Sequence, residues 1–431
     1  MLMEFTVGNF LSFKDKVTFK MVASSIREHR DTHTFNAINN IDLLKSSVLY
    51  GANASGKSNL FKAMTFMSQM VRNSSKESQA GEEIEVVPFK LNTYNEQLPS
   101  FFEIVFIKED RIYRYGFEVN CQEVVSEWLF QMKKNKEQLL FDREKEDFEV
   151  SELFAEGKML TDLTRNNALF LSVAANFKGD ISNKVLSWFR SFNIVSGLVN
   201  ANFPMLHRHL KNKEFKKELL DMLRNVDLGF EDIDLFEEEV PGEVLDAIFK
   251  LGESLRGLDR ASVKEIKNEE IKTFHKKFDV EDRFVSYEEF KLMEEESEGT
   301  RKLFSLLAPI MDTLKQGKVL VVDELDAKLH PILTQFIISL FNSNIHNPHE
   351  AQLIFNSHDT NLLHRDHFRR DQIWFAEKDR YGATDLYSLS DFKVRSDASY
   401  EKDYLLGKYG SIPFIGEFHF TEEGETSLDG E

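Results

Sequence analysis

Gly51-Ala52-Asn53-Ala54-Ser55-Gly56-Lys57-Ser58 satisfies the pattern G-x-x-x-x-G-K-[S/T], a phosphate-binding P-loop. No other feature restricts the fold of this chain as strongly, because such a loop works only between a buried strand and a helix N-terminus. Both flanks are present. Ser47-Val48-Leu49-Tyr50 reads as a short buried strand. Residues 58–72 carry Leu60, Met64, Phe66, Met67, Met70 and Val71 at the spacing of an amphipathic helix. The glycines let backbone N–H groups turn inward around a phosphate. The helix terminus adds its dipole. Lys57 supplies a compact positive charge, and Ser58 offers a hydroxyl to Mg²⁺.

A P-loop needs a partner acid, and Lys318-Val319-Leu320-Val321-Val322-Asp323-Glu324 provides two. The apolar run predicts a strand with Asp323 at its C-terminal end, where α/β sheets place ligands. An Asp there holds Mg²⁺, and Glu324 is placed to act as general base on an attacking water. Three further segments suit the same chemistry. Ser297-Glu298-Gly299-Thr300 precedes the apolar-periodic helix Leu303–Leu314; Ser and Gly at a helix start suit an anion, but taken by itself the segment reads better as an ordinary N-cap. Leu325-Asp326 and Leu329-His330-Pro331 follow the two acids directly. Gln352-Leu353-Ile354-Phe355-Asn356-Ser357-His358 is another apolar strand, ending in a histidine able to contact a γ-phosphate and orient water.

Around these motifs the chain divides into four parts. Residues 1–150 read as the N-terminal half of an ATPase core. It is β-rich, with strands expected at Phe101–Ile107, Ile112–Val119, Trp128–Gln131 and Gln138–Phe141 around one strand–loop–helix unit. Residues 151–290 read as a mainly helical, charged insert without a sustained heptad, broken at Gly242, Gly252 and Gly257. Residues 291–420 hold the C-terminal half of the core, and 421–431 form an acidic, flexible tail.

Charge and cysteine content exclude several classes. The formal net charge is −19, which opposes non-specific coating of DNA, although a local basic patch could still bind nucleic acid. Cys121 is the single cysteine, so an intrachain disulfide and a cysteine-based zinc site are both ruled out. The N-terminal segment lacks the basic-then-apolar order of a secretory signal, and no apolar run approaches the roughly 20 residues of a membrane span. A cytoplasmic protein without membrane contact is expected.

P-loop, Ser-x-Gly-Thr, Asp-Glu, Leu-Asp, His-Pro and strand-Ser-His occur in the order that resembles ABC-type ATPases of the SMC/RecF/OLD group. Asn9-Phe10-Leu11-Ser12-Phe13 adds to the resemblance. More narrowly, the chain resembles the RloA-type AAA-family ATPases, through Arg370–Phe375, Tyr387–Phe392 and Tyr404–Pro413 as well. The resemblance implies an α/β fold: an ABC-type P-loop NTPase core, a mixed sheet flanked by helices, with a β-rich N-terminal part and a helical insert. It implies ATP and Mg²⁺ as ligands. Asn53, Ala54, Ser55, Gly56, Lys57, Ser58 and Asn59 would line the phosphate site, and Ser58 and Asp323 would hold the metal. Glu324, His358 and Lys57 would be catalytic. Ser297 and Gly299 would form the signature motif that completes the site of a neighbouring copy in a homodimer or higher oligomer. The signature reads Glu-Ser-Glu-Gly-Thr rather than Leu-Ser-Gly-Gly-Gln, and no glutamine stands out as a Q-loop residue.

Relatives of this kind control a toxic nuclease in bacterial anti-phage defence. The stretch after His358 is too short for a nuclease domain, so a separate effector protein is expected. The competing reading is a RecF/SMC-like DNA-binding ATPase in repair, and a blander third is a nucleotide-bound scaffold that barely turns over. Weaker features favour structural roles. His207-Arg208-His209 with its neighbouring lysines reads as a solvated helix face. Arg365, Arg369 and Arg370 read either as reporters to a neighbour or as partners of nearby Asp residues. His346-x-x-His349 reads as a turn, and Asp232-Ile233-Asp234 as lacking the strand context of a metal nuclease.

Overall fold

In the computed structural model the described residues are 1–76, 79, 81–133, 136–197, 203–223, 226, 229–239, 267–395 and 398–413. Strands pair into two large sheets. The first is fully antiparallel, in the order Asp147–Val150, Lys136–Glu144, Val124–Lys133, Arg111–Val119, Ser100–Lys108, Leu2–Gly8, Val17–Lys20. Its central hairpin turns at Glu109 and Asp110, both with positive φ (50° and 55°), and pairs Lys108 with Arg111. That is the twist-matched two-residue turn of a tight hairpin.

The second sheet is mixed and runs Phe192–Ser196, Val319–Asp323, Gln352–Asn356, Ser46–Tyr50, Ile373–Lys378, Thr384–Ser388. The first five strands are parallel, and the last is antiparallel to its neighbour. Both faces of this sheet are covered, which is why its strands read as unbroken apolar runs rather than alternating ones. Leu49, Val321, Ile354 and Trp374 point into one core, shared with the P-loop helix Lys57–Asn73 and the antiparallel sheet. Val48, Leu320, Val322, Phe355 and Phe375 point into the other, with the helices Glu298–Gln316 and Pro331–Asn342. The P-loop helix therefore lies between the two sheets, burying Leu60, Phe61, Met64, Met67 and Val71. The helix Glu298–Gln316 stops at Gly317, which caps it in the left-handed region at φ 60°.

Residues 151–290 differ from the mainly helical expectation. Helices occur at Phe170–Asn176, Asp180–Arg190, Phe203–Leu210 and Lys213–Leu223. However, Phe192–Ser196 joins the mixed sheet, and Asp232–Glu239, Lys267–Phe278 and Phe284–Lys291 form a three-stranded antiparallel sheet. Its charged faces are largely solvated, so its strands have a helix-like composition, and the long-range pairing settles the conformation. Asp232-Ile233-Asp234 accordingly lies on a strand, where Lys216 pairs with both acids at 3.3 and 3.2 Å. Gly242, Gly252, Gly257 and the acidic tail 421–431 lie outside the described residues. Among the described residues no helix is long and apolar enough to cross a membrane.

Candidate functional site

Five parallel strands put their C-terminal ends on one edge of the mixed sheet, and the chemistry collects there. The P-loop leaves the end of Ser46–Tyr50. Asp323 ends Val319–Asp323, Ser357 and His358 follow Gln352–Asn356, and Lys378 ends Ile373–Lys378. A cleft of about 490 Å³ is lined by Asn53, Ala54, Ser55, Gly56, Lys57, Ser58, Asn59, Glu324, His358 and Lys378.

The loop has the backbone its glycines suggest. Gly56 sits at φ 110°, and a Cβ there would also collide with the Thr384 and Ser12 side chains. Ala54 is held at φ 61° without that freedom. Lys57 is 5% exposed, and its ammonium donates to the carbonyls of Gly51 (2.7 Å) and Ala52 (3.0 Å). Burial pulls Lys57 down to about 8, against the raising influence of Glu324, Asp323 and Asp326. The Ser55 hydroxyl is buried and has no partner among the described residues. An inward-turned loop, a cation resting on weak acceptors and an orphaned donor together fit a polyphosphate.

The Ser58 hydroxyl donates to Asp323 Oδ1 at 3.0 Å, although the two residues are 265 positions apart. A hydroxyl and a carboxylate in contact at the loop exit are the hard oxygen pair that Mg²⁺ takes beside phosphates. Glu324 is half-buried and held at φ 59°, an uncommon conformation for a residue with a Cβ. His358 is exposed at the cleft, and its backbone N–H donates to Asp326 Oδ2 at 3.1 Å. Burial, then the Lys57 charge, hold the His358 imidazole below its ordinary range. That shift favours the neutral imidazole, the form able to accept a hydrogen bond.

The P-loop residues, Glu324 and His358 thus meet in one cleft, with Asp323 joined to it through Ser58. Ser297 and Gly299 do not line it. The Ser297 hydroxyl caps the helix Glu298–Gln316 by accepting from Thr300 N–H at 3.1 Å, and Glu298 pairs with Lys328 at 3.3 Å. This segment rests against the loop after the two acids, with Ser297 exposed. Arg369 is buried, paired with Asp371 at 2.8 Å and bonded to the carbonyls of Ile26 and Glu28, so it is a structural tie.

Sequence reasoning assigned no role to five residues that shape the site. Asn356 donates to Asp323 Oδ1 at 2.6 Å and accepts from the Glu324 backbone N–H. Its signal was an Asn closing an apolar strand that pairs with the strand carrying Asp323. Ser12 accepts from Asn59 Nδ2 at 2.8 Å, and its hydroxyl lies 2.8 Å from that of Thr384. Thr384 and Lys378 carried no sequence signal. Lys302, 2% exposed on the helix Glu298–Gln316, donates to the Gly197 carbonyl. Burial pulls it down to about 8, opposed by Asp326, Glu324 and Asp323.

No curated protein matches the chain. Among solved structures, the SMC head domain from Thermotoga maritima is similar at 14% identity and a TM-score of 0.39. That match covers 90% of this chain and 98% of the other. A family model described as "AAA domain, putative AbiEii toxin, Type IV TA system" matches residues 46–364, from the P-loop strand to just beyond His358. That span is most of the 431 residues and contains the P-loop, both acids and the histidine of the cleft, so the chain belongs to this family of AAA domains.

Proposed function

We propose that this protein is a molecular switch that binds and hydrolyses Mg-ATP, assembles with further copies of itself through its nucleotide face, and so controls a separate effector in bacterial anti-phage defence. The observation that carries the reading is the meeting of Lys57, Ser58, Asp323, Glu324 and His358 at one sheet edge. Lys57 would exchange its loop carbonyls for phosphate oxygens, and the Ser55 hydroxyl would gain an acceptor. Ser58 and Asp323 would hold Mg²⁺, which supplies charge neutralisation on the phosphates. Glu324 would take a proton from the attacking water, with His358 orienting that water from the C-terminal end of the neighbouring parallel strand.

Assembly is supported by the placement of Ser297 and Gly299. They lie away from the cleft of their own chain, at an accessible helix start. A second copy could bring its nucleotide there, making ATP a glue and hydrolysis the release step. The family description, with its putative toxin and toxin–antitoxin system, supports an effector under this switch.

The test is light-scattering mass of the Glu324→Gln protein with and without Mg-ATP, alongside phosphate release by the wild type. A mass that rises with ATP, is lost in Lys57→Ala, and accompanies wild-type turnover is expected. A mass indifferent to nucleotide removes ATP-driven assembly, and absent turnover leaves a scaffold. ATP-dependent, salt-sensitive DNA binding would favour the repair reading instead.

A further inference from the structure

We infer that Lys378 is a second cation of the phosphate cleft, contributed by a strand beyond the family match and held in place by the P-loop itself. The inference rests on the nucleotide-binding reading above and adds to it a residue that contacts the polyphosphate.

Three observations carry it. The first is position: Lys378 lines the same cleft as Asn53–Asn59, Glu324 and His358. Its strand, Ile373–Lys378, pairs in parallel with the P-loop strand, matching Ile373 to Val48 and Phe375 to Tyr50. Beyond that point it runs beside the loop, so that a Cβ on Gly51 would lie 2.5 Å from the Ala376 carbonyl.

The second is anchorage. In the neighbouring antiparallel pair, Lys378 stands opposite Thr384. The Thr384 hydroxyl donates to the P-loop carbonyl of Ser55 at 2.8 Å, and the Thr384 N–H donates to the Ser12 carbonyl at 2.7 Å. The backbone carrying Lys378 is thereby tied to the loop whose ligand it would share.

The third is the absence of a competing acid. Glu377 is engaged by the Tyr387 hydroxyl at 2.8 Å and the Ser411 N–H at 3.0 Å. Asp379 accepts from the N–H groups of Tyr381 (2.8 Å) and Ala383 (2.9 Å). Among the described residues, no carboxylate forms an ion pair with the Lys378 ammonium. In a chain of net charge −19, an unneutralised lysine on the wall of an anion cleft suits a polyanionic ligand. A lysine is a compact point charge that can reach phosphate oxygens from outside the loop.

The experiment is calorimetric titration of the full chain with Mg-ATP for wild type, Lys378→Ala, Lys378→Arg and Lys57→Ala, with thermal midpoints recorded without nucleotide. Lys378→Ala is expected to weaken binding about tenfold, the typical effect of losing one charged hydrogen bond, with an unchanged midpoint. Lys378→Arg should recover most of that loss. Equal affinity of wild type and Lys378→Ala overturns the inference while leaving the nucleotide reading intact. Wild type that fails to bind, or Lys57→Ala that binds as wild type does, overturns the nucleotide reading and this inference with it.

Discussion

At the scale of the residue, the two acids at the end of Val319–Asp323 are positioned by a third side chain. Asn356 donates to the Asp323 carboxylate at 2.6 Å and accepts from the Glu324 N–H. Glu324 needs such support because its φ of 59° costs about 1–2 kcal/mol for a residue with a Cβ. Asn356 is 1% exposed, so its amide is fixed by packing as well as by these bonds. Replacing Asn356 by Ala leaves both acids less constrained. The expected result is a fall in ATP turnover of about 10–100-fold, the usual size of an effect through a ligand's supporting partner. Phosphate release at saturating Mg-ATP measures it, and undiminished turnover would refute the positioning role.

At the scale of the element, the antiparallel sheet is joined to the helix Phe170–Asn176 through one buried carboxylate. Glu127, 0% exposed on Val124–Lys133, accepts from the N–H groups of Phe170 (2.6 Å) and Leu171 (3.0 Å) and from the Tyr115 hydroxyl (2.9 Å). Arg143 lies 3.6 Å away and also donates to the Ala168 carbonyl at 2.7 Å. Burial raises the Glu127 carboxyl, opposed by Arg143 and by these hydrogen bonds. Glu127→Ala would strand a buried guanidinium and two helix-terminal N–H groups. It is predicted to cost about 3–5 kcal/mol, read as a lowered urea midpoint; an unshifted midpoint would show that the network is not stabilising. Elements with a strong local period were legible in the sequence, such as the P-loop helix and the hairpin around Glu109-Asp110. The strands at 267–278 and 284–291 were not, because charged, half-solvated strands resemble helices until a partner strand is specified.

At the scale of the whole molecule, the mixed sheet brings together segments from both ends of the chain. Ser46–Tyr50 pairs on one side with Gln352–Asn356 and on the other with Ile373–Lys378. Gln352 bonds the backbone of Leu2 at 2.6 Å and that of Leu44 at 3.1 Å. Ser297 is exposed and does not line the cleft, so under the proposed switch it would meet a nucleotide only through a contact between copies. Ser297→Arg in the Glu324→Gln background is therefore predicted to remove the ATP-driven increase in mass, and an increase that persists would place the contact elsewhere. The P-loop, the acids at a strand end and the strand-end histidine could be read from the sequence alone. Each is a short run in which glycine conformation, apolar burial and charge are local properties. The tertiary structure decided which of them meet. It set Asn356 beside Asp323, kept Ser297 and Gly299 out of the cleft, and tied Thr384 and Lys378 to the P-loop. Those placements depend on strand order and register between residues hundreds of positions apart, which local pattern does not encode.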